Sequence, residues 1–297
     1  MPKTQDNLVF KNELAVTELI KEFRHENSWL SAVKSKPEWV GNDVIKIPVR
    51  GVAPKVLINN TIYPIQSDQR EDGKVVISLY KYETENTEVT TDELYALPYE
   101  KVNDVQVQHR ETLEDVTAQH ALYSIAPQEE TAKTLIIETT GEDDGTGRLR
   151  LTAKDLINAK NRLDKLKVPK VGRVLVLCSD HIADLLIEDI KFNIRYQDAN
   201  GGQISKNYYG FEIFESTYAP TYTDGEKDGF ETLTPGLEAS VFFHKNFTVK
   251  APGTAQRFAL DASMNPTMRR HVIGFEMHWV CVAIKDEGTG AIVSATA

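Results

Sequence analysis

The sequence predicts an α+β protein built on one long helix and a protruding β-ribbon, and three observations carry that expectation. Val75, Ile77 and Leu79 alternate with Val76, Ser78 and Tyr80, the period of a pleated strand. Val102, Val105, His109, Leu113, Val116, His120 and Tyr123 then recur in steps of three and four, with Glu100, Asp104, Glu111 and Asp115 on the opposite face. After residue 130 strand and helix patterns alternate before a β-rich end. A helix from Pro98 to Ser124 would span about 40 Å at ~1.5 Å per residue, the width of a whole domain. It holds neither a nucleophile nor a phosphate loop and reads as a beam.

Each element has a local cause. Residues 1–38 form an arm in which Leu14, Val16, Leu19, Ile20, Phe23, Trp29 and Leu30 have loose helical spacing. Such a short segment gains stability by lying on something else. Val44, Ile45, Ile47 and Val49 flank Pro48, which cannot donate to a ladder and so places that strand at an edge. Asp72-Gly73 opens the Val75 strand as a turn. The resulting two-stranded ribbon has little apolar material for both faces, and its expected partner is another chain. Thr90 with Glu93 reads as a capping box, and Pro98 suits a helix's first turn.

Beyond the long helix come a strand at Thr134–Glu138 and an acidic glycine-rich loop, Gly141–Gly147. Thr152 and Asp155 form a capping box for a helix with the stripe Ala153, Leu156, Ile157, Leu163 and Leu166, closed by Pro169. Arg173–Cys178 reads as a buried strand, and Ser179 as the cap of a helix running to Ile190. Asn200-Gly201-Gly202 predicts a tight turn between strands Phe192–Arg195 and Gly210–Phe214. Thr221–Gly236 is a polar loop. Strands follow at Ser240–His244, Phe247–Val249 and His271–Ile284, the last with Phe275, Met277, Trp279, Cys281 and Ala283 on one face.

Composition narrows the function. With 297 residues, 41% hydrophobic and 26% charged, the chain can build one large domain or two ordinary ones. A net charge of −10 argues against a broad basic face that grips nucleic acid, though not against a protein that encloses it. Cys178 and Cys281 lie in apolar runs and read as packed thiols of a disulfide-free, cytosolic protein. The N-terminus lacks the apolar core of a signal peptide, and no run approaches the ~18 apolar residues of a membrane span.

The order of arm, ribbon, spine helix, α/β module and returning strands resembles the major capsid proteins of tailed bacteriophages, the Hong Kong 97 fold. Ser78–Thr84 followed by Val89–Leu94 is similar to that family's ribbon-to-spine passage. Arg173–Leu186 is similar to the strand-then-helix of its axial domain, and Gly210–Phe214 to the strand after that domain's hairpin. The resemblance implies a shell subunit with an arm at 1–38, an E-loop ribbon at 39–88 and a peripheral domain with its spine at 89–129. It further implies an axial domain at 130–243, and returning peripheral strands with a C-terminal tail at 244–297. It also implies self-assembly as pentamers and hexamers in a host bacterial cytoplasm into a virion head. The head would enclose double-stranded DNA without sequence-specific binding and without a membrane. The implied partners are a separate scaffolding protein, a portal and decoration proteins. The chain departs from some relatives in lacking a long charged N-terminal segment, so it either uses that separate scaffold or is a processed form. No crosslinking pair is apparent either, and Lys55 and Lys74 read as solvating charges.

No catalytic, cofactor-binding or metal-ligating residue is assigned. Cys178-Ser179-Asp180-His181 gathers nucleophilic and basic groups at a strand-to-helix corner but lacks the flanking glycines of a nucleophile elbow. The Gly141–Arg148 loop lacks the Lys-Ser/Thr pair of a phosphate loop and the ligand spacing of a calcium loop, and reads as a mobile surface loop. His109 and His120 lie about 16 Å apart along the helix at ~1.5 Å per residue, too far to share a metal. Glu276 and His278 share a strand face without an evident third ligand. Tyr208-Tyr209 and Arg269-Arg270 read as a subunit contact or a loop anchor rather than as a nucleic-acid site. Three other readings stand beside the capsid: an encapsulin-like nanocompartment shell, a tail or adaptor protein, and a cytosolic α/β enzyme using the Cys178–His181 corner.

Overall fold

The structure is a computed structural model that describes residues 28–41, 44–49, 61, 73–90, 101–197, 203–233, 236–264 and 267–296. Most of the expected arm, the ribbon beyond Val49 with Lys55, the residues Glu93 and Pro98, and the Asn200-Gly201-Gly202 turn lie outside those residues.

The described chain begins with a 3₁₀ turn, Ser28–Ala32, and the strands β1 (Lys34–Ser35), β2 (Val40–Gly41), β3 (Val44–Val49) and β4 (Gly73–Ser78). β3 lies antiparallel between β2 and β4, but β2 reaches only Val44 and Ile45. Pro48 therefore sits where one side of β3 has no ladder among the described residues, as its missing N–H demands. Thr90 ends a strand, and the helix it was expected to cap lies outside the described residues. That strand is β6 (Thr87–Thr90), which follows β5 (Tyr80–Glu83).

The spine helix α1 runs Lys101–Ile125. Its N-terminal half buries the expected Val105, His109 and Leu113. Its C-terminal half departs from the predicted stripe: Val116, His120 and Tyr123 are only half-buried, while Thr117, Ala118, Ala121, Leu122 and Ile125 face the core. The drift follows from 3.6 residues per turn, which carries a stripe stepping by sevens around the cylinder. Small residues at 118 and 121 let the helix approach the sheets closely.

The eight-stranded sheet collects β7 (Leu135–Glu138), β8 (Arg173–Leu177), β9 (Gln203–Tyr208), β10 (Phe211–Glu215), β11 (Thr221–Thr223), β12 (Glu226–Lys227), β13 (Leu237–His244) and the late strand β16 (Thr289–Val293). β8 runs parallel to β10 and is buried throughout, as a five-residue apolar strand covered on both faces should be. Three helices cover one face: α2 (Ala153–Lys165), α3 (Ser179–Glu188) and α4 (Ile190–Gln197). Their Leu156, Leu163, Ile182, Leu185 and Phe192 pack on Leu175, Leu177, Ile213 and Phe242.

Four expectations in this region are corrected. Phe192–Arg195 is helical, and the hairpin joins β9 to β10 through Tyr209 and Gly210, whose φ values of 48° and 88° are those of a primed two-residue turn. Ser179 is the first residue of α3, and Cys178 occupies the cap position. Ile157 is exposed, because the buried side of α2 passes through Leu156 and Ala159 instead. The acidic loop is tied down: Gly141 and Asp144 amides donate to the Arg150 and Arg148 carbonyls, and Asp143 accepts the Gly145 and Gly147 amides at 2.9 and 3.0 Å.

The other face of this sheet, through Val174, Val176, Val241 and Phe243, meets Trp29, the end of α1, and Met277, Trp279 and Cys281. The last three belong to β15 (Arg270–Ala283), which pairs with β14 (Thr248–Leu260) over almost its full length and with β5 and β6 on its other side. The predicted inward set Phe275, Met277, Trp279 and Cys281 is buried as expected, whereas Ala283 is half-buried. Val280 is buried too, because the ribbon base lays Ile45, Ile47 and Leu79 on the outer face beside Val249 and Ala251. The base of the ribbon is thus satisfied within its own chain, contrary to the expectation that another chain must cover it.

β16 leaves the peripheral strands and threads between β13, antiparallel, and β7, parallel. Within 244–297, β14 and β15 thus share one sheet and β16 joins the other. Gly290 permits this insertion: a Cβ there would stand 2.1 Å from the Phe242 ring and 2.6 Å from the Leu135 carbonyl oxygen.

Candidate functional site

The Cys178–His181 corner is closed. The cysteine is 1% exposed and the histidine fully buried. His181 Nδ1 lies 2.6 Å from Ser240 Oγ and Nε2 lies 3.0 Å from Ser294 Oγ, so both ring nitrogens are committed to hydroxyls. The Cys178 amide donates to Ser240 Oγ at 3.1 Å. Burial pushes the thiol up to about 12 and holds the imidazole down to about 4, so neither is a thiolate or a cation near neutrality. A covalent mechanism needs an accessible, activated nucleophile, and this geometry supplies a polar bolt between α3, β13 and the end of β16.

Beside it stands an ion pair that local sequence patterns do not reveal. Arg148 grips Asp184 with both guanidinium nitrogens, at 2.8 and 2.9 Å, and Asp184 also accepts the Leu151 amide at 2.9 Å. The Thr146 hydroxyl and amide, and then Arg148 Nε at 3.0 Å, donate to Asp144 and hold its carboxyl down to about 2. Asp155, the predicted capping residue, accepts the Thr152 amide at 2.9 Å and the Thr140 hydroxyl at 2.7 Å, tying α2 to the loop before it. All of these groups fasten the acidic loop to the body.

The two helix histidines bind neighbouring elements. His109 Nε2 meets Thr87 Oγ1 at 3.0 Å, holding β6. His120 accepts or donates a bond with the Tyr82 hydroxyl at 2.7 Å and is ringed by Tyr80, Tyr123 and Phe230 with centroids 4.7, 6.1 and 5.0 Å away. Burial, and then the charge of Lys227, keep its pKa below the ordinary value. Lys227, which carried no signal in the sequence, donates to the Tyr123 and Ala126 carbonyls at 3.0 and 2.8 Å, where the helix leaves unpaired acceptors and negative partial charge. Glu276 stands 3.7 Å from His278 and also meets Lys81 at 3.1 Å. Among the described residues no group of three metal-ligating side chains occurs. Arg270 pairs with Glu88 of the same chain and so anchors β15 to β6.

What remains for function is surface. Phe258, Leu260, Met264 and Met268 are exposed together at the far end of the β14–β15 pair. Ile187, Ile190 and Ile194 stand out from α3 and α4 at 68, 78 and 56% exposure. No helix among the described residues is long and apolar enough to cross a membrane.

No protein-family model and no curated protein matches the sequence. Solved structures do match. The capsid structure of the cyanophage P-SCSP1u aligns at a TM-score of 0.61 with 12% identity, over 91% of this chain and 89% of that one. A chain of Mycobacterium phage Che8 aligns at 0.61 with 17% identity, over 90% and 91%. The virus-like particle from Pyrococcus furiosus aligns at 0.57 with 11% identity, over 95% and 99%. The chain therefore has the Hong Kong 97-like fold of tailed-phage capsid structures.

Proposed function

We propose that this chain is the major shell subunit of a tailed-bacteriophage head, assembling as pentamers and hexamers around double-stranded DNA. The observation that carries the reading is the likeness to capsid chains across about nine-tenths of both partners. The physics agrees with it. A closed shell needs many separate contacts that become strong collectively, and each apolar tip that burial covers contributes ~25 cal/mol per Å². A net charge of −10 suits a container that holds DNA by enclosure rather than by adhesion.

Within this reading the arm, E-loop ribbon, peripheral domain and axial domain divide near residues 38, 88 and 129, and β16 belongs with the axial sheet. In this reading the chain acts structurally rather than as an enzyme, as its capsid neighbours suggest, and the Cys178–His181 corner is shut to solvent. A separate scaffolding protein, a portal and decoration proteins complete the assembly, and the product is a virion built in the host cytoplasm. A nanocompartment shell is the second reading, favoured by the nearly end-to-end likeness to the archaeal virus-like particle.

Negative-stain electron microscopy of the purified protein, alone and with co-expressed scaffold, tests the proposal. Closed particles tens of nanometres across are expected, holding DNA if phage and protein cargo if nanocompartment. Monomers or dimers under every condition would overturn both.

A further inference from the structure

We infer that the two ends of α2 form the two halves of a head-to-tail contact between copies of this chain, the lysine-lined end of one docking on the acidic end of the next. The inference rests on the shell-subunit reading and adds to it which surfaces meet and in which order.

The first half is a local inversion of charge on an acidic protein. From Lys160 to Arg173 the chain carries Lys160, Arg162, Lys165, Lys167, Lys170 and Arg173 against Asp164 alone. Lys160, Lys170 and Arg173 of this run line a cleft of about 560 Å³, and the β9–β10 hairpin adds Lys206 and Tyr209 to its lining. The carboxylates there are already engaged: Glu212 with Lys245 and Asp164 with Arg173, both at 2.7 Å. Among the described residues Lys160, Lys170 and Lys206 make no close ion pair, although the charges of Lys170 and Lys160 reach Asp164 at longer range. Two apolar side chains stand out beside them, Val171 at 87% exposure and Tyr209. Tyr209 is held outward by the left-handed backbone of its turn.

The second half lies at the other end of the same helix, about 20 Å away at ~1.5 Å per residue. Here Glu142 and Glu188 line a cleft of about 430 Å³ with exposed Ile187, and Asp143 stands exposed in the adjoining loop. The cations of this end are Arg148, Arg150 and Lys154, and Arg148 is committed to Asp184 and Asp144. Burial, with Asp155, Asp189 and Asp184 crowding around it, raises the Glu188 pKa, so an incoming cation relieves an existing repulsion.

Helix-dipole complementation explains Asp155 at one end of α2 and Lys165 at the other. It does not explain Lys170 and Lys206, which come from a turn and a hairpin, nor the apolar residues flanking both clefts. A surface bearing opposite charges and exposed apolar groups at opposite ends fits another copy of itself, and such a heterologous contact closes into a ring when the rotation permits. The charges would set orientation and encounter rate, and the apolar pairs would set lifetime.

The test is a charge swap in the full chain, scored as the yield of closed particles at 0.15 M salt, with circular dichroism to verify folding. K170E/K206E and E142K/E188K are each expected to cut the yield at least tenfold, and all four changes in one chain to restore it to within about twofold. Because Glu188 also accepts the Ala153 amide, the pair E142K and K170E repeats the swap should E142K/E188K misfold. Normal assembly of both reversed variants overturns the inference and leaves the shell reading intact. Normal particles of K170E/K206E that lose packaged DNA would assign the cleft to nucleic acid and overturn it equally. A wild-type chain that never forms particles removes the shell reading itself, and the inference with it.

Discussion

The eight-stranded body and the β14–β15 arm of the peripheral sheet solve the problem of burial in opposite ways. In the body, β8 is buried along its whole length, helices close one face, α1 and β15 close the other, and the buried pairs Arg148–Asp184 and His181–Ser240 satisfy one another. In the arm, the same two strands are covered near Val249 and Val280 but run on to Phe258, Leu260 and Met268 with apolar groups in water. One region buries its strands within the chain, and the other leaves apolar side chains exposed at its far end. Stability and assembly should therefore separate by mutation.

The largest expected effect breaks the self-sufficient region. Arg148→Ala leaves Asp184 buried beside the Leu151 amide without its cation, and should cost about 3–5 kcal/mol in denaturant unfolding of the unassembled subunit. Loss of less than about 1 kcal/mol would mean that water replaces the guanidinium and that the body is looser than described.

A somewhat smaller effect comes with acid. His181 has a folded pKa held down to about 4 against an ordinary value near 6.5, so the unfolded chain binds its proton first as pH falls. That contribution is fully present above about pH 6.5 and is lost as pH drops toward 4, by about 3 kcal/mol at ~1.4 kcal/mol per pKa unit. His181→Gln should flatten this part of the stability profile while keeping the hydroxyl partners. An unchanged slope would place the acid sensitivity elsewhere.

The smallest effect on stability sharpens the contrast. Phe258→Ser with Met268→Ser should shift unfolding by no more than about 0.5 kcal/mol, since the groups removed are exposed, yet lower particle yield severalfold. A large loss of monomer stability would show that the tip is already packed within the subunit.

Much of this contrast could be read from the sequence, and what could not has a physical reason. The spine, the Thr152–Asp155 cap and the two-faced β15 are local patterns, set by residues within a turn or two of each other. The helix α4 misleads because Ile190, Phe192, Ile194 and Tyr196 alternate like a strand. Asp189 overrides that pattern: its carboxylate takes the Lys191 amide at 2.8 Å and its carbonyl the Asn193 amide, nucleating a helix that buries Phe192 under Tyr208. The Arg148–Asp184 pair spans 36 residues, and the His181 bolt reaches Ser240 and Ser294 across 59 and 113, separations at which no periodicity operates. The basic run from Lys160 to Arg173 is plain in the sequence. That its complement lies at the other end of the same helix becomes visible only once Asp184 pulls α3 against the start of α2.

The threading of β16 also bears on how the protein is made. β7 pairs with no other strand among the described residues, so a segment near residue 136 waits for a partner near residue 291. At ribosomal speeds of ~5–20 residues per second that wait is on the order of ten seconds or more. During it the eight-stranded sheet is open at the place where Gly290 will later slide past Phe242. On the shell-subunit reading proposed above, a nascent chain has no finished body to dock until its closing strand has emerged, so polymerisation would wait for translation of that strand.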